Sequence, residues 1–148
     1  MQIIRTLNVT STEFYNWLEK QLLTEIQTAT GQVLTATSIK KGLAYTKSTT
    51  KSAAQLKIMI DDYQRGIKYQ MTAISPLDTV TVTYLTTAKG AQTTVTFLEE
   101  IDSYQPQRHH WLLRTFSQTL LLGRMSDNLL QLEQQIIDHR VAPSNLTE

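Results

Sequence analysis

The chain has no cysteine, only three prolines and five glycines, and a net charge of just +1 over its 148 residues. Each shortage excludes something. Without cysteine there is no disulfide framework, no thiol nucleophile and no zinc–thiolate site. No apolar run approaches the ~18 residues of a membrane helix, and the N-terminus lacks the charged-then-apolar profile of a secretory signal. A soluble, cytoplasmic protein without membrane insertion is therefore expected. The near-neutral balance supplies no broad field for nucleic acid or anionic lipid, so neither is an expected partner.

The scarcity of special motifs is equally restrictive. There is no glycine-rich phosphate loop, no Gly-x-Ser-x-Gly elbow and no HExxH pair. His109 and His110 are adjacent, so on a helix their side chains diverge by about 100° and cannot chelate one ion. His139 is far along the chain, and neither a metal nor a cofactor is expected. Two sequons, at Asn8 and Asn145, are read as chance because no secretory signal precedes them.

What is present is periodicity. Ile3 to Val9 alternates enough for a strand, with Ile3, Leu7 and Val9 on one face. Ser11 or Thr12 can cap a helix in which Phe14, Trp17, Leu18, Leu22 and Ile26 recur at helical spacing, until Thr30 and Gly31 stop it. Gln32 to Lys41 stays open between a strand at Val33 and an isolated helical turn near Ser38. From Gly42 to Tyr104 the period becomes two. The runs are Leu43 and Tyr45; Leu56, Ile58 and Ile60; Ile67, Tyr69, Met71 and Ala73; Val80, Val82 and Tyr84; and Val95, Phe97 and Ile101. Threonines 79, 81, 83, 94 and 96 occupy the opposite face, and Gly- or Pro-bearing breaks at 64–66, 75–78 and 88–90 suit hairpin loops. This is an antiparallel meander with one dry face that helices must cover.

The longest helix-compatible stretch is Gln107 to Arg140. It begins after Pro106, which suits a first helical turn. Leu112, Leu113, Phe116 and Leu120 mark one apolar stripe, and Leu122, Met125, Leu129, Leu132 and Ile136 a second, with Gly123 between them as the expected boundary. As one helix it would run roughly 50 Å, longer than a ten-residue strand, so part should overhang the sheet or bend. The overhanging apolar stripe Leu129, Leu132 and Ile136 would then need a partner, for which a second copy in a homodimer is the economical choice. The tail after Arg140 is expected to fray. The fold class is α+β: an antiparallel sheet whose dry face is covered by the long C-terminal helix and a second helix after the first strand, all in one domain.

That order, together with the Ile3 to Val9 strand running into Phe14 and Trp17, Ala29-Thr30-Gly31, Gly42 to Lys47, Phe97-Leu98-Glu99-Glu100 and Leu120 to Gly123, resembles the helix-grip fold of the START-like, polyketide-cyclase-like superfamily (SRPBCC). Within it the chain resembles a bacterial family known only as a domain of unknown function. The resemblance implies a fold in which a curved antiparallel sheet wraps the long C-terminal helix, with a cavity commonly between them, and a tendency to hold apolar or amphipathic small molecules. It brings no catalytic residues.

Candidate residues follow from the inward face. Tyr45, Tyr69, Met71, Tyr84 and Phe97, with Phe116 and Leu120 from the long helix, form either a ligand lining or a filled core. Met59 and Met125 are further adaptable wall. Glu99 continues the inward alternation as a polar ligand contact, unless a bulge or an open sheet end leaves it solvated. Lys47 shares the inward parity and is its candidate partner. A noncatalytic small-molecule binding protein with an apolar cavity between the sheet and the C-terminal helix is the leading expectation, with a protein–protein interaction or regulatory module acting through the exposed part of that helix as the alternative.

Overall fold

The computed structural model describes residues 2–48, 55–76, 78–103 and 131–138. Six strands form one antiparallel sheet: β1 (Gln2–Leu7), β2 (Ala44–Ser48), β3 (Gln55–Gln64), β4 (Lys68–Ile74), β5 (Asp78–Lys89) and β6 (Gln92–Ser103). Their order is β1-β6-β5-β4-β3-β2. Strands β2 to β6 form the expected meander, and β1 joins its far edge through β6. Helix α1 (Ser11–Thr30) follows β1, and residues 131–138 are also helical. Most of the expected Gln107 to Arg140 helix lies outside the described residues, including Phe116, Leu120, Gly123, Met125 and Leu129, as does the tail.

Helix α1 starts one residue earlier than Ser11 or Thr12 would cap it. Thr10 is the cap: its side chain accepts from the Glu13 N–H at 3.1 Å, and the Glu13 carboxylate accepts from the Thr10 N–H at 3.0 Å. The spacing Thr-x-x-Glu is the reason, since only Thr10 has a carboxylate three positions on. At the other end Gly31 takes the left-handed conformation, φ 78°, and closes the helix as expected. Phe14, Tyr15, Leu18, Leu22 and Ile26 form its buried stripe. The open segment after α1 holds a single 3-10 turn at Ala36–Ser38, slightly before the expected helical turn, while Val33 is exposed rather than in a strand.

Alternation holds over most of the sheet, where Leu56, Ile58, Ile60, Tyr69, Met71, Ala73, Val80, Val82, Tyr84, Val95 and Phe97 are all buried. It fails in β3. The register slips between Ile60 and Asp62, so two consecutive residues share one side. Asp61 accepts from the Thr72 hydroxyl and Asp62 pairs with Lys68 at 3.3 Å, both on the outer face. Tyr63 consequently turns inward, opposite Tyr69. Met59 corrects the expectation that it lines the interior: it pairs with Thr72 on the outer face. Ile67 also departs from its run. It lies in the β3–β4 turn and is exposed, its carbonyl accepting from the Thr86 N–H at 2.9 Å.

The C-terminal helical residues give the largest correction. Leu132 and Ile136, expected on an exposed stripe, are buried in the core of their own chain, and Ile137 packs against it. The Asn8 N–H donates to Glu133 Oε2 at 2.6 Å and Trp17 Nε1 to Gln135 Oε1 at 3.2 Å. This segment therefore docks on the β1–α1 junction. An apolar stripe at i, i+4 shows that a face is buried but not against which chain.

Two substitutions test these assignments. Thr10→Ala should lower unfolding free energy by about 1 kcal/mol through loss of the cap, read as a shifted urea midpoint at unchanged m-value. Leu132→Ala should cost about 2–5 kcal/mol as a core truncation, with a melting temperature independent of protein concentration; a concentration-dependent loss would restore the intermolecular interface.

Candidate functional site

The inner face of the sheet carries a row of aromatic rings in direct cross-strand register. Tyr63 faces Tyr69, Tyr69 faces Tyr84 and Tyr84 faces Phe97. Their centroids are 6.0, 6.1 and 5.2 Å apart, within the range where edge and tilted ring contacts add to simple burial. Phe14 and Tyr15 of α1 close the row from above: Phe14 lies 6.2 Å from Tyr84 and Tyr15 lies 6.1 Å from Tyr63. One helix stripe and one sheet row thus share a single aromatic layer.

Phenols in such a layer need acceptors, and α1 supplies two of them. Six positions apart at about 100° per residue, Glu19 and Glu25 leave the helix on opposite flanks of its apolar stripe. Glu19 accepts from the Tyr63 hydroxyl and pairs with Arg65 at 2.7 Å. Arg65 also donates to Asn16. Glu25 accepts from the Tyr45 hydroxyl and pairs with Lys47 at 3.2 Å. The third phenol is served by the sheet. Tyr15 lies 2.8 Å from the Thr86 hydroxyl, which donates to the Gly66 carbonyl at 3.1 Å. Because Thr86 spends its one proton on Gly66, Tyr15 must be the donor to Thr86.

Of the sequence-predicted lining, Tyr45, Tyr69, Met71, Tyr84 and Phe97 are all buried on the inner face. Tyr69, Tyr84 and Phe97 form a continuous line of ring contacts, whereas Tyr45 stands toward the β2 edge with its hydroxyl committed to α1. Phe116 and Leu120 lie outside the described residues. Glu99 is inward and only 6% exposed, which settles its placement against the solvated alternative. Lys47 pairs with Glu25 rather than with Glu99. Sequence reasoning passed over Tyr15, Tyr63, Glu19 and Glu25. The pair Asp61-Asp62, which interrupts an otherwise apolar alternation, was the available signal for the bulge that turns Tyr63 inward.

Burial raises the pKa of every phenol in the layer. For Tyr45 the next cause is the Glu25 carboxylate, and for Tyr63 its hydrogen bond to Glu19. Tyr69 is held up by burial and then by the charge of Glu25; Tyr84 by burial, then by Tyr69 and Glu99. Among the described residues no group of three or more acidic or histidine side chains could hold a metal ion, and no helix is long and apolar enough to cross a membrane.

The raised phenol pKa values have a defined sign. Above about pH 10, the ordinary phenol value, the unfolded chain loses protons that the folded chain keeps, so stability falls as pH rises. It should be unaffected by these groups below that value, then decline by up to about 1.4 kcal/mol per pH unit for each phenol held neutral. Phenolate absorbance should appear together with loss of circular dichroism. Full ionisation of the tyrosines in a chain that remains folded would contradict the buried layer.

Three solved structures place this geometry among known folds. The chain is similar to Ara h 8.0201 at 13% identity, over 93% of this chain and 97% of that one, with a TM-score of 0.55. It is similar to TTHA0849 from Thermus thermophilus at 12% identity over 94% and 97%, with a TM-score of 0.54. DynU16, from the dynemicin biosynthetic locus, is similar at 10% identity with a TM-score of 0.50; the match covers 76% of this chain and 40% of that one. At such identities the likeness shows the fold, which is the α+β helix-grip arrangement expected from the order of elements. None of the curated proteins matches the chain by sequence. With a family model matching residues 1–118, the chain belongs to the family described as Domain of unknown function (DUF3284).

Proposed function

We propose that this protein is a noncatalytic, cytoplasmic binding protein for a small apolar or amphipathic molecule. The ligand lies against the inner face of the sheet, on Tyr69, Met71, Tyr84 and Phe97, with Tyr45 toward the β2 edge and Glu99 as a polar contact. The observation that carries this reading is the composition of that face: a contiguous row of phenols and a carboxylate are buried among its aliphatic side chains. An apolar wall with a few polar handles is the usual makeup of a small-molecule site. The occurrence of a similar fold in DynU16, from the dynemicin biosynthetic locus, supports the same direction.

The alternative, an interaction module working through the C-terminal helix, loses two of its three named contacts because Leu132 and Ile136 are internal. A homodimer would have to use residues other than Leu132 and Ile136. Native mass spectrometry of gently purified protein and a thermal-shift panel of lipids and neutral aromatics separate the readings. Ligand at about 100 times its Kd should stabilise the protein by about 2.7 kcal/mol and raise Tm by roughly 5–10 °C. An unchanged Tm across the whole panel, with no co-purifying mass, would sink the binding-protein reading.

A further inference from the structure

The hydroxyls of the aromatic layer are not all used alike. Tyr15 donates to Thr86, Tyr45 to Glu25 and Tyr63 to Glu19. Tyr69, in the middle of the row, is fully buried, and its hydroxyl has no hydrogen-bond partner among the described residues. A hydroxyl removed from water and left unmet carries its whole desolvation penalty. Nor can the ring turn away, because Tyr63 and Tyr84 pack on its two sides at 6.0 and 6.1 Å.

The neighbouring groups decide what could meet it. The two α1 carboxylates that flank the layer are already engaged: Glu25 with Tyr45 and Lys47, Glu19 with Tyr63 and Arg65. Lys47 and Arg65 are therefore committed as well, while the negative charges of Glu25 and Asp61 are near enough to bear on the Tyr69 phenol. Among the described residues, an anionic head would meet these acidic neighbours and cations that are already paired. A neutral acceptor suits the available O–H donor.

We propose that the Tyr69 hydroxyl is the polar anchor of the ligand site and selects neutral molecules that present a carbonyl oxygen on an apolar body, an assignment that rests on the small-molecule reading above. Benzophenone and diphenylmethane are suitable probes because they share a shape and differ by the carbonyl oxygen. Their affinities should be measured on the wild type and on Tyr69→Phe, which keeps the ring and removes only the hydroxyl. Wild type should bind benzophenone roughly tenfold more tightly than the variant does, while diphenylmethane binds both proteins alike. The unliganded variant should melt at or above the wild-type temperature, since it loses no hydrogen bond. A lowered unliganded melting temperature would instead mean that an internal water holds the hydroxyl, and would overturn the anchor. If both probes bind and the substitution leaves the benzophenone affinity unchanged, the anchor falls while the binding site stands. If neither probe binds wild type, the anchor falls, while the binding-protein reading falls only if the lipid and aromatic panel is negative as well.

Discussion

A phenol taken out of water must hand its proton to an acceptor or bear the cost of holding it unmet. This sheet buries a row of phenols on its inner face, and much of the remaining architecture answers that demand. Helix α1 brings Glu19 and Glu25 to opposite flanks of its stripe, one for Tyr63 and one for Tyr45. Each carboxylate, now largely removed from water itself, requires a cation. The β3–β4 turn provides Arg65 and β2 provides Lys47. Ion pairs of this kind contribute little net stability compared with apolar packing, but a mispaired arrangement would leave a charge stranded. Their effect is to fix where α1 sits along the sheet. Arg65 shows how tightly local and long-range needs are joined, because its turn also places the Gly66 carbonyl that receives the Thr86 proton.

The parts of this arrangement that follow a period were legible in the sequence. Tyr69, Met71, Tyr84, Phe97 and Glu99 sit where an unbroken alternation puts them. Tyr63 does not, because alternation carries no memory across an inserted residue: the bulge beside Asp61 reverses every assignment after it. Glu25 and Lys47 were invisible as a pair for a different reason. Their proximity depends on the angle at which a helix crosses a strand, and nothing in the spacing of 22 residues between them encodes that angle. The helix cap stood between these extremes. Thr10 and Glu13 form a readable signature, but it overlaps two other hydroxyl residues that also suit a cap.

The residues after 130 teach a related lesson. Leu132 and Ile136 have the spacing of a surface that wants covering, and their own chain covers it. What sequence lacked was the donor geometry around Asn8 and Trp17, which receives Glu133 and Gln135. The same junction is tied to the start of β6, where Gln92 donates to Asn8 at 2.8 Å and Thr93 to the Val9 carbonyl at 2.8 Å. Three distant parts of the chain thus meet over two residues of turn.

That meeting bears on how the molecule is made. Strand β1 is synthesised before the rest of the sheet, yet its partner is β6, with Gln2 opposite Leu98. Helix α1 can form locally as it leaves the ribosome, capped by its own neighbours. The strand ahead of it cannot, because nearly a hundred residues must follow before anything is there to pair with. Contacts closed over such long separations form slowly and leave apolar segments exposed in the meantime. Here the exposed segment is Gln2–Leu7, with two adjacent isoleucines and a single charge, Arg5. The nascent chain's period of greatest vulnerability to aggregation therefore lasts until β6 is complete, and the edge of the finished sheet is the last part of it to be sealed.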